Sequence, residues 1–463
     1  MHPFKATAAA VALAFGAAPV ALAQSGAEIQ EIRQQIERIR EEYEARLRAL
    51  EERLRQAEAK AGQAEEQAAK AERQAAAVAR RRAENVFNPG LSLILQGRYA
   101  HLRQDPETYR IDGFIPSGGE VGPGERGFSL TESELNLHAN VDPYFRALFT
   151  AAYSPENQVE VEEAYFQTLS LPQGLTLKGG RFFSGIGYFN EQHHHAWDFI
   201  DAPLPYRAFL GRQLGNDGVQ LKWVAPTPFF LALGGEAARS EAFPGSKRNK
   251  NGISLGTAFA RIGGDAGPSH NWRLGLSYLQ TSPQERAYGD QDSAGTPVVN
   301  AFSGRSTLWI ADAVWKWAPE GNPTQRNFKF QAEYFRFQER GTLAFDVKGA
   351  NLADRYDAQQ HGWYAQAVYQ FMPRWRVGVR YDRLAHDQMN IGQVLNGTLT
   401  AADFPILNPY NPELYTAMID WSPTEFSRLR LQYARDKSRQ GAPDDQIFLQ
   451  YILSLGAHGA HKY

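Results

Sequence analysis

The stretch SELNLHANVDPYFRAL, residues 133–148, decides the fold of this chain. Its apolar and polar residues alternate, so that Leu135 and Leu137 share one face and Asn136 lies on the other. A period of two residues predicts a β-strand. Asp142-Pro143-Tyr144 then interrupts the alternation before it resumes, and proline between two such runs marks a tight turn. The stretch therefore predicts two antiparallel strands joined by a short connection.

The same pattern continues from Asn88 to the C-terminus. Seven tight connections carry Pro or Gly: Asp142-Pro143-Tyr144, Pro172-Gln173-Gly174, Ala225-Pro226-Thr227-Pro228, Gly263–Ser269, Pro319–Arg326, Met372-Pro373-Arg374 and Ser422-Pro423-Thr424-Glu425. Eight longer connections alternate with them, near 103–126, 154–159, 184–216, 238–252, 282–305, 337–361, 383–413 and 436–445. Seven turns and eight loops join sixteen strands, with both ends of the barrel on the tight-turn side. Short turns on one side and long loops on the other are typical of outer-membrane barrels.

Alternation alone leaves two folds open, a soluble β-sandwich and a transmembrane β-barrel. The positions of the aromatic residues favour the barrel, because they cluster beside the tight turns, as in an interfacial girdle. Members of this girdle are Tyr144, Phe145, Phe229, Trp272, Trp317, Phe328, Phe371, Trp375, Trp421 and Phe426. In the last strand, the apolar residues from Ile447 to Leu455 and the terminal Tyr463 fall on one parity. The predicted fold is mainly β, a sixteen-stranded antiparallel transmembrane barrel over 88–463.

Composition excludes several classes of function. The 463 residues include no cysteine, which removes disulfides and thiolate chemistry. The formal net charge is -2 and the basic residues are dispersed, so no nucleic-acid partner is expected. Aromatic residues make up 12% of the chain although its mean hydropathy is -0.48. A polar average with many aromatic residues suits a barrel whose alternate residues face lipid.

Residues 1–23 have the pattern of a secretory leader. Lys5 is followed by a small, apolar stretch, and Ala21-Leu22-Ala23 provides a cleavage site before Gln24. Export and a location in the cell outer membrane are the expectation.

Residues 24–85 predict a long helix that forms a coiled coil in the periplasm. Apolar residues recur at steps of three and four, at Ile29, Ile32, Ile36, Ile39, Tyr43, Leu47, Leu50 and Leu54, and alanines continue the seam to Val78. Two consecutive steps of four around Tyr43 form a stutter. A helix of this length cannot bury its apolar stripe alone, so the seam predicts a homo-oligomer. The seam does not specify how many helices the coiled coil contains.

A leader, a periplasmic coiled coil and a sixteen-stranded barrel together resemble the phosphate-selective porin O and P family. Within it, LKGGRFFSGIGYFNEQHHHAWDFIDAPLPYRAFLG (Leu177–Gly211) is similar to a branch loosely labelled TonB-dependent receptors. The chain lacks a plug domain between helix and barrel, and sixteen strands fall short of the twenty-two of such receptors. The resemblance implies a trimer in the lipid bilayer and a channel for a small hydrophilic solute or ion.

The third loop of porins folds into the lumen and narrows it, so the resemblance implies that the third long loop, 184–216, is the constriction; its charged and aromatic residues suit packing against the inner wall. Its candidate site residues are Glu191, His193, His194, His195, Asp198, Asp201 and Arg207. His193 and His195 face one side if the backbone is locally extended, and Glu191 or Asp198 could complete a site for Zn²⁺. The alternative is a polar loop whose histidines hydrogen-bond the barrel wall, with no cofactor.

The inward parity of the strands predicts two charged walls. Arg376, Arg380, Arg428 and Arg430 form a basic group on two neighbouring hairpins. Glu132, Glu134, Glu160 and Glu162 form an acidic group far around the barrel, with Arg98 among them, although Glu163 breaks the parity of its strand. Facing walls of opposite charge would filter polar solutes. The alternative is that these residues are charged only because they line a water-filled lumen, and that they do not filter solutes.

Three functions follow from these patterns. The leading one is an outer-membrane channel for passive diffusion of small hydrophilic solutes or ions. The alternatives are a structural anchor whose coiled coil spans the periplasm and, less favoured, a metal-ion uptake barrel for zinc. The one G-x-S-x-G match, Gly252–Gly256, lies between a predicted loop and a predicted strand rather than on the strand–turn–helix of a nucleophile elbow, and the sequence has no H-E-x-x-H motif, so no enzyme is expected.

Overall fold

A computed structural model describes residues 89–118, 121–154, 158–239, 241–245 and 252–456, and nine helical residues between 37 and 52. The chain divides into two compact units, Met1–Val86 and Phe87–Tyr463. In the first unit the described residues are helical and exposed, and Arg46 pairs with Glu42 at 2.8 Å, one helical turn away. The leader and the apolar seam lie outside the described residues. Among the residues described, no helix is both long and apolar enough to cross a membrane.

The second unit is built from strands. Its described part contains eighteen strand segments and two short α-helices. The strands are β1 Gly90–Leu102, β2 Gly127–Leu130, β3 Ser133–Asn140, β4 Phe145–Tyr153, β5 Val159–Thr168, β6 Leu175–Phe183, β7 Gly215–Val224, β8 Phe230–Arg239, β9 Leu255–Ala266, β10 His270–Thr281, β11 Arg286–Gln291, β12 Pro297–Trp317, β13 Asn327–Phe345, β14 Leu352–Met372, β15 Trp375–Ile391, β16 Glu413–Thr424, β17 Ser427–Asp436 and β18 Asp444–Gly456. The helices are α1 Leu204–Leu210 and α2 Gly392–Leu395.

These segments form one closed antiparallel barrel of sixteen strands, as the sequence predicts. Successive segments pair in chain order, and β18 closes the ring by pairing with β1. Both β2 and β3 pair with β1, so they are two parts of one barrel strand. Likewise β10 and β11 both pair with β12. Closure leaves no unpaired edge strand, which an open sheet would have.

The barrel carries its apolar residues outside and its polar residues inside. On β17 the side chains of Leu429 and Leu431 are 43% and 49% exposed, whereas Arg430 and Gln432 between them are 1% and 0% exposed. The last strand, β18, repeats the alternation of burial, with exposed apolar residues on one face and buried residues, Gln446 and Gln450 among them, on the other. A sandwich would bury the apolar face, so the exposed apolar face decides between the two folds that alternation left open.

Three predicted loops are wrong in length. The predicted loops 282–305 and 337–361 are largely strand, and residues 383–391 of the predicted loop 383–413 belong to β15, because β12 to β15 run for 21, 19, 21 and 17 residues. In these extensions the sense of the alternation is reversed, because apolar side chains such as Leu343 and Tyr356 are buried inside while polar ones lie outside. Arg340 and Asp357, for example, are cross-strand partners joined by an ion pair of 3.3 Å. The other five predicted loops match connections of the structure closely.

A β-bulge explains the broken parity of β5. Thr150 pairs with Glu163 and Ala151 pairs with Val161, so Glu162 has no partner residue in β4. The extra residue bends the strand and turns neighbouring side chains toward the same side. Both Glu162 and Glu163 consequently face the interior of the barrel, where their contacts lie.

Gly180 on β6 provides a test of the barrel backbone. Its φ of +128° is a conformation that residues with a Cβ rarely adopt, and a Cβ there would collide with the backbone oxygen of Ala164. We expect Gly180→Ala to lower the free energy of unfolding by about 1–3 kcal/mol. Denaturant titration of the folded protein measures the change. Gly289→Ala is the control, since nothing lies within 4 Å of its Cβ position; equal costs at both positions would contradict the prediction.

Candidate functional site

The connection between β6 and β7, residues 184–214, is packed against the inner face of the barrel. Its apolar side chains are fully or almost fully buried, and they join apolar residues of the long strands in one cluster. From the loop this cluster takes Ile186, Phe189, Trp197, Leu204, Tyr206, Phe209 and Leu210, and from the strands Leu308, Ile310, Phe335, Phe337 and Leu384. Burial of this many apolar groups holds the loop against the wall.

The buried carboxylate of Glu333 on β13 holds the start of the loop. It accepts hydrogen bonds from the backbone N–H groups of Tyr188 at 3.2 Å and Phe189 at 3.0 Å, and from the hydroxyl of Tyr206 at 2.8 Å. The hydroxyl of Tyr364 on β14 donates a fourth, at 2.5 Å. Four donors satisfy both oxygens of a carboxylate that water cannot reach.

Two loop carboxylates, Asp198 and Asp201, hold the middle of the loop. Asp198 lies 2.5 Å from Lys329 Nζ and 3.3 Å from Arg376, and Asp201 accepts a hydrogen bond of 2.6 Å from Arg380. Burial alone would raise the pKa of Asp198 and of Asp201, but these cations outweigh burial and hold both pKa values below their usual range. Both carboxylates are therefore ionised at neutral pH.

Backbone groups of the loop complete this attachment. Arg430 donates to the carbonyl of Trp197 at 2.9 Å, and the side-chain oxygen of Gln432 accepts from the N–H of Ile200 at 2.8 Å. The carboxylate of Asp382 accepts from the N–H of Leu204, at the start of α1, also at 2.8 Å. The basic group predicted to line a pore wall is thus placed behind the loop. Arg380 and Arg430 are buried, Arg376 bridges Asp198 to Asp420, and Arg428 is half-buried near the tight-turn end of β17.

The histidines contact the opposite wall. A 3₁₀ turn at His194–Ala196, rather than the predicted extended backbone, brings the rings of His193 and His195 into a stack with centroids 5.7 Å apart. His195 Nδ1 lies 2.7 Å from Glu134 Oε1, and His193 Nε2 lies 2.9 Å from Glu163 Oε2. Burial would lower the pKa of His193, but the surrounding carboxylates outweigh it and raise the pKa well above its ordinary value.

The remaining candidates of the loop have partners of their own. Glu191 pairs with Arg261 on β9 at 2.7 Å, so neither it nor Asp198 joins the histidines as predicted. His194 Nε2 meets the carbonyl of Ile200 at 3.0 Å, and burial lowers its pKa. Arg207 donates to the carbonyl of Val121 at 2.6 Å.

The first long connection, residues 103–126, packs on the loop, which the sequence analysis did not foresee. Ser117 donates to the carbonyl of Arg207, whose guanidinium lies 4.9 Å above the ring of Tyr109. Ile111 and Phe114 are buried in the same cluster as the residues of the third loop. Apolar residues in a long, otherwise polar connection were the signal in the sequence for this inward packing.

Between these two loops and the wall lies a cavity of about 930 Å³. It is lined by nine carboxylate side chains and six guanidinium groups. Of the predicted site residues, His194, Asp201 and Arg207 line it, as do Arg98, Glu132, Glu160 and Glu162 of the predicted acidic group. Arg212 of the predicted loop also lines the cavity, together with charged residues that the sequence pattern did not single out: Asp105, Glu107, Glu125, Arg126, Arg181, Asp217, Arg239 and Glu241.

The fold and the site define a closed sixteen-stranded barrel with an apolar outer face, a charged interior and a long loop bound to that interior. An uncharacterized protein of Aquifex aeolicus (strain VF5) is 30% identical over 416 residues, covering 82% of this chain and 81% of its own length. The chain belongs to the same family as this protein. No family model matches the sequence.

Several solved outer-membrane proteins are similar in shape. The channel DcaP of Acinetobacter baumannii is 12% identical with a TM-score of 0.47, covering 80% of this chain and 97% of its own. OprB of Pseudomonas putida is 14% identical with a TM-score of 0.47, covering 80% and 94%. An anion-selective porin from Comamonas acidovorans is 11% identical with a TM-score of 0.45, covering 80% and 99%. Similarity this low transfers no function to this chain.

The contacts of Glu333 predict how firmly the loop is held. Glu333→Gln replaces one accepting oxygen by an NH₂ group that faces donors, so we expect a loss of about 1–3 kcal/mol in the attachment of the loop. Limited trypsin digestion of the folded protein, with cleavage at Arg207 or Arg212 as readout, should proceed about tenfold faster or more. Glu425→Gln, in an exposed turn, is the control. Cleavage at the wild-type rate in Glu333→Gln would contradict this role of Glu333.

Proposed function

We propose that this chain forms a channel in the cell outer membrane for passive diffusion of small hydrophilic solutes or ions, with loop 184–214 folded inward as its constriction. The observation that carries the proposal is the charged cavity of about 930 Å³ beside that loop, inside a barrel whose outer face is apolar. A wall of ionic groups replaces part of the hydration shell of a polar solute. An apolar solute gains nothing there, because it leaves those charges unsolvated.

The attachment of the loop supports its role as a fixed constriction. It bonds to β13 through Glu333, to β9 through Arg261 and to β3 through Glu134, which lie at separate places around the ring. A segment held from several sides narrows the lumen permanently, so solutes pass through the remaining cavity. The ion pairs that the loop forms neutralise the arginines of the wall. The residues that line the cavity therefore set the electric field inside the channel.

The charge of this lining favours cations. Nine carboxylates against six guanidinium groups give the cavity a surplus of negative charge. The resemblance to the phosphate-selective porin O and P family would imply the opposite preference. We retain from that resemblance the barrel in a lipid bilayer, the trimer and the periplasmic coiled coil, and we replace phosphate selectivity by a preference for small cations.

Ion selectivity in planar bilayers tests this function. The purified protein should give stepwise channels with a cation-to-anion permeability ratio above one, since the lining has a surplus of carboxylates. Neutralising three of these, Glu125→Gln, Glu160→Gln and Glu241→Gln together, should lower that ratio by about twofold or more. The triple control Glu37→Gln, Glu41→Gln and Glu52→Gln, in the helical unit, should leave it unchanged.

Two results would overturn the proposal. Anion preference in the wild type that persists in the triple variant would contradict the charge assignment and return weight to phosphate selectivity. A correctly folded protein that never conducts would contradict the channel itself and favour the structural anchor, whose coiled coil spans the periplasm.

The apolar outer face gives a second test. Leu431 is 49% exposed in the middle of β17. If it faces lipid, Leu431→Arg should cost about 2–4 kcal/mol of unfolding free energy in phospholipid vesicles, because a guanidinium near the bilayer centre loses its hydration. Leu395→Arg, at a residue 72% exposed at the end of α2 in the connection between β15 and β16, should cost less than about 0.5 kcal/mol. Equal costs at the two positions would exclude a lipid-facing β17.

A further inference from the structure

Three ligand-type atoms converge where loop 184–214 meets β3 and β5. They are Nδ1 of His193, Oε2 of Glu134 and Oε2 of Glu162, and all lie within 4.8 Å of one another. Nδ1 is 3.2 Å from the oxygen of Glu134 and 3.6 Å from that of Glu162. The bulge in β5 is what turns Glu162 into this cluster, because a regular strand would direct it away from the side of Glu163.

All three atoms are buried without a hydrogen bond. Among the described residues, none of Nδ1 of His193, Oε2 of Glu134 and Oε2 of Glu162 has a hydrogen-bond partner. Glu134 is 0% exposed, so water does not satisfy its oxygen from outside. At most one proton, on Nδ1 of His193, lies between these two buried carboxylate oxygens, so their mutual repulsion is only partly offset. A cation bound among them would satisfy all three atoms together.

The groups around the cluster are arranged as they are around bound metals. Nε2 of His193 meets the carboxylate of Glu163 at 2.9 Å and can donate its proton there, so that Nδ1 faces the cluster and gives up its own proton when a cation binds. The other oxygen of Glu134 meets His195 Nδ1 at 2.7 Å. One carboxylate orients the ligand histidine, and one histidine orients a ligand carboxylate.

We propose that His193, Glu134 and Glu162 bind one divalent cation of borderline character, with Zn²⁺ as the probe, and that this ion ties the loop to the wall. The inference stands apart from the proposed channel function. One neutral imidazole and two carboxylates carry two negative charges, which a divalent ion balances. Bonds of about 2.0–2.2 Å in a tetrahedral site set neighbouring ligand atoms roughly 3.3–3.6 Å apart. The measured 3.2 and 3.6 Å fit this spacing.

The site is also accessible to an ion. Glu162 lines the charged cavity as well as the cluster, so it connects the two. The side chains of His193 and Glu162 retain 20% and 12% exposure, which leaves room for water as a fourth ligand. Imidazole together with carboxylate oxygens suits Zn²⁺ better than Ca²⁺ or Mg²⁺, which prefer an all-oxygen shell.

Zinc binding by the purified full-length protein tests the site. The protein is stripped with a chelator, and its binding of Zn²⁺ is measured by calorimetry and by metal content after dialysis. We expect one Zn²⁺ per chain with little competition from excess Mg²⁺. Glu162→Gln and His193→Gln should each weaken binding by about tenfold or more. The controls are Glu425→Gln and His101→Gln, at exposed positions away from the cluster.

The outcomes separate this site from the channel. No saturable Zn²⁺ binding, or binding with unchanged affinity in Glu162→Gln, overturns the site, and Glu162→Gln decides the matter even where His193→Gln fails to fold. X-ray absorption of the zinc-loaded protein should show one imidazole nitrogen and otherwise oxygen ligands; a shell with two or more imidazoles would overturn the ligand set. Neither measurement requires conductance, so a silent barrel that binds Zn²⁺ would refute only the channel.

Discussion

A charged group inside the barrel must have a partner, and most of this structure follows from that requirement. Alternation along the strands sends arginines and carboxylates inward, where bulk water is largely excluded. Loop 184–214 brings the complementary groups: Asp198 and Asp201 meet Lys329, Arg376 and Arg380, while its histidines meet Glu134 and Glu163. Removing one partner of such a buried pair typically costs about 3–5 kcal/mol, so the loop and the wall depend on each other. The barrel holds the loop in place, and the loop provides partners for the charged groups inside the barrel.

The strand count could be predicted because its signals are local. Each tight turn carries Pro or Gly, and each membrane-length strand alternates, so sixteen strands can be counted from the sequence. The extensions of β12 to β15 could not, since the apolar residues there change from the outer face to the inner face while hydrogen bonding continues. The bulge at Glu162 appeared only as a broken parity. The broken parity can be recognised as a β-bulge only from the register between β4 and β5.

The site was predictable in its location but not in its pairings. The connection 184–216 stands out in the sequence because it is long, charged and aromatic. The structure buries the apolar side chains of this loop against the strands. The predicted partners failed because they were sought nearby: Glu191 and Asp198 were expected beside the histidines, yet Glu163 lies 30 residues and Glu134 61 residues from the histidines they bond. Contacts over such separations are set by barrel register, which a single sequence does not reveal. The arginines that seemed to face an open lumen are occupied by the loop for the same reason.

The four long strands β12 to β15 have a consequence for the approach of solutes. A membrane-crossing strand needs only about 9–11 residues, so each of these four carries many more than the bilayer requires. The surplus lies on the side of the long loops, because the tight turns hold the other ends level with their neighbours. Strands β4 to β8, of nine or ten residues each, have no such surplus. The rim of the barrel is therefore high on one flank and low on the other. If the barrel conducts as proposed, solutes that arrive over the low flank cross less of the paired sheet before they reach the charged cavity, to whose lining β5, β6 and β7 contribute Glu160, Arg181 and Asp217.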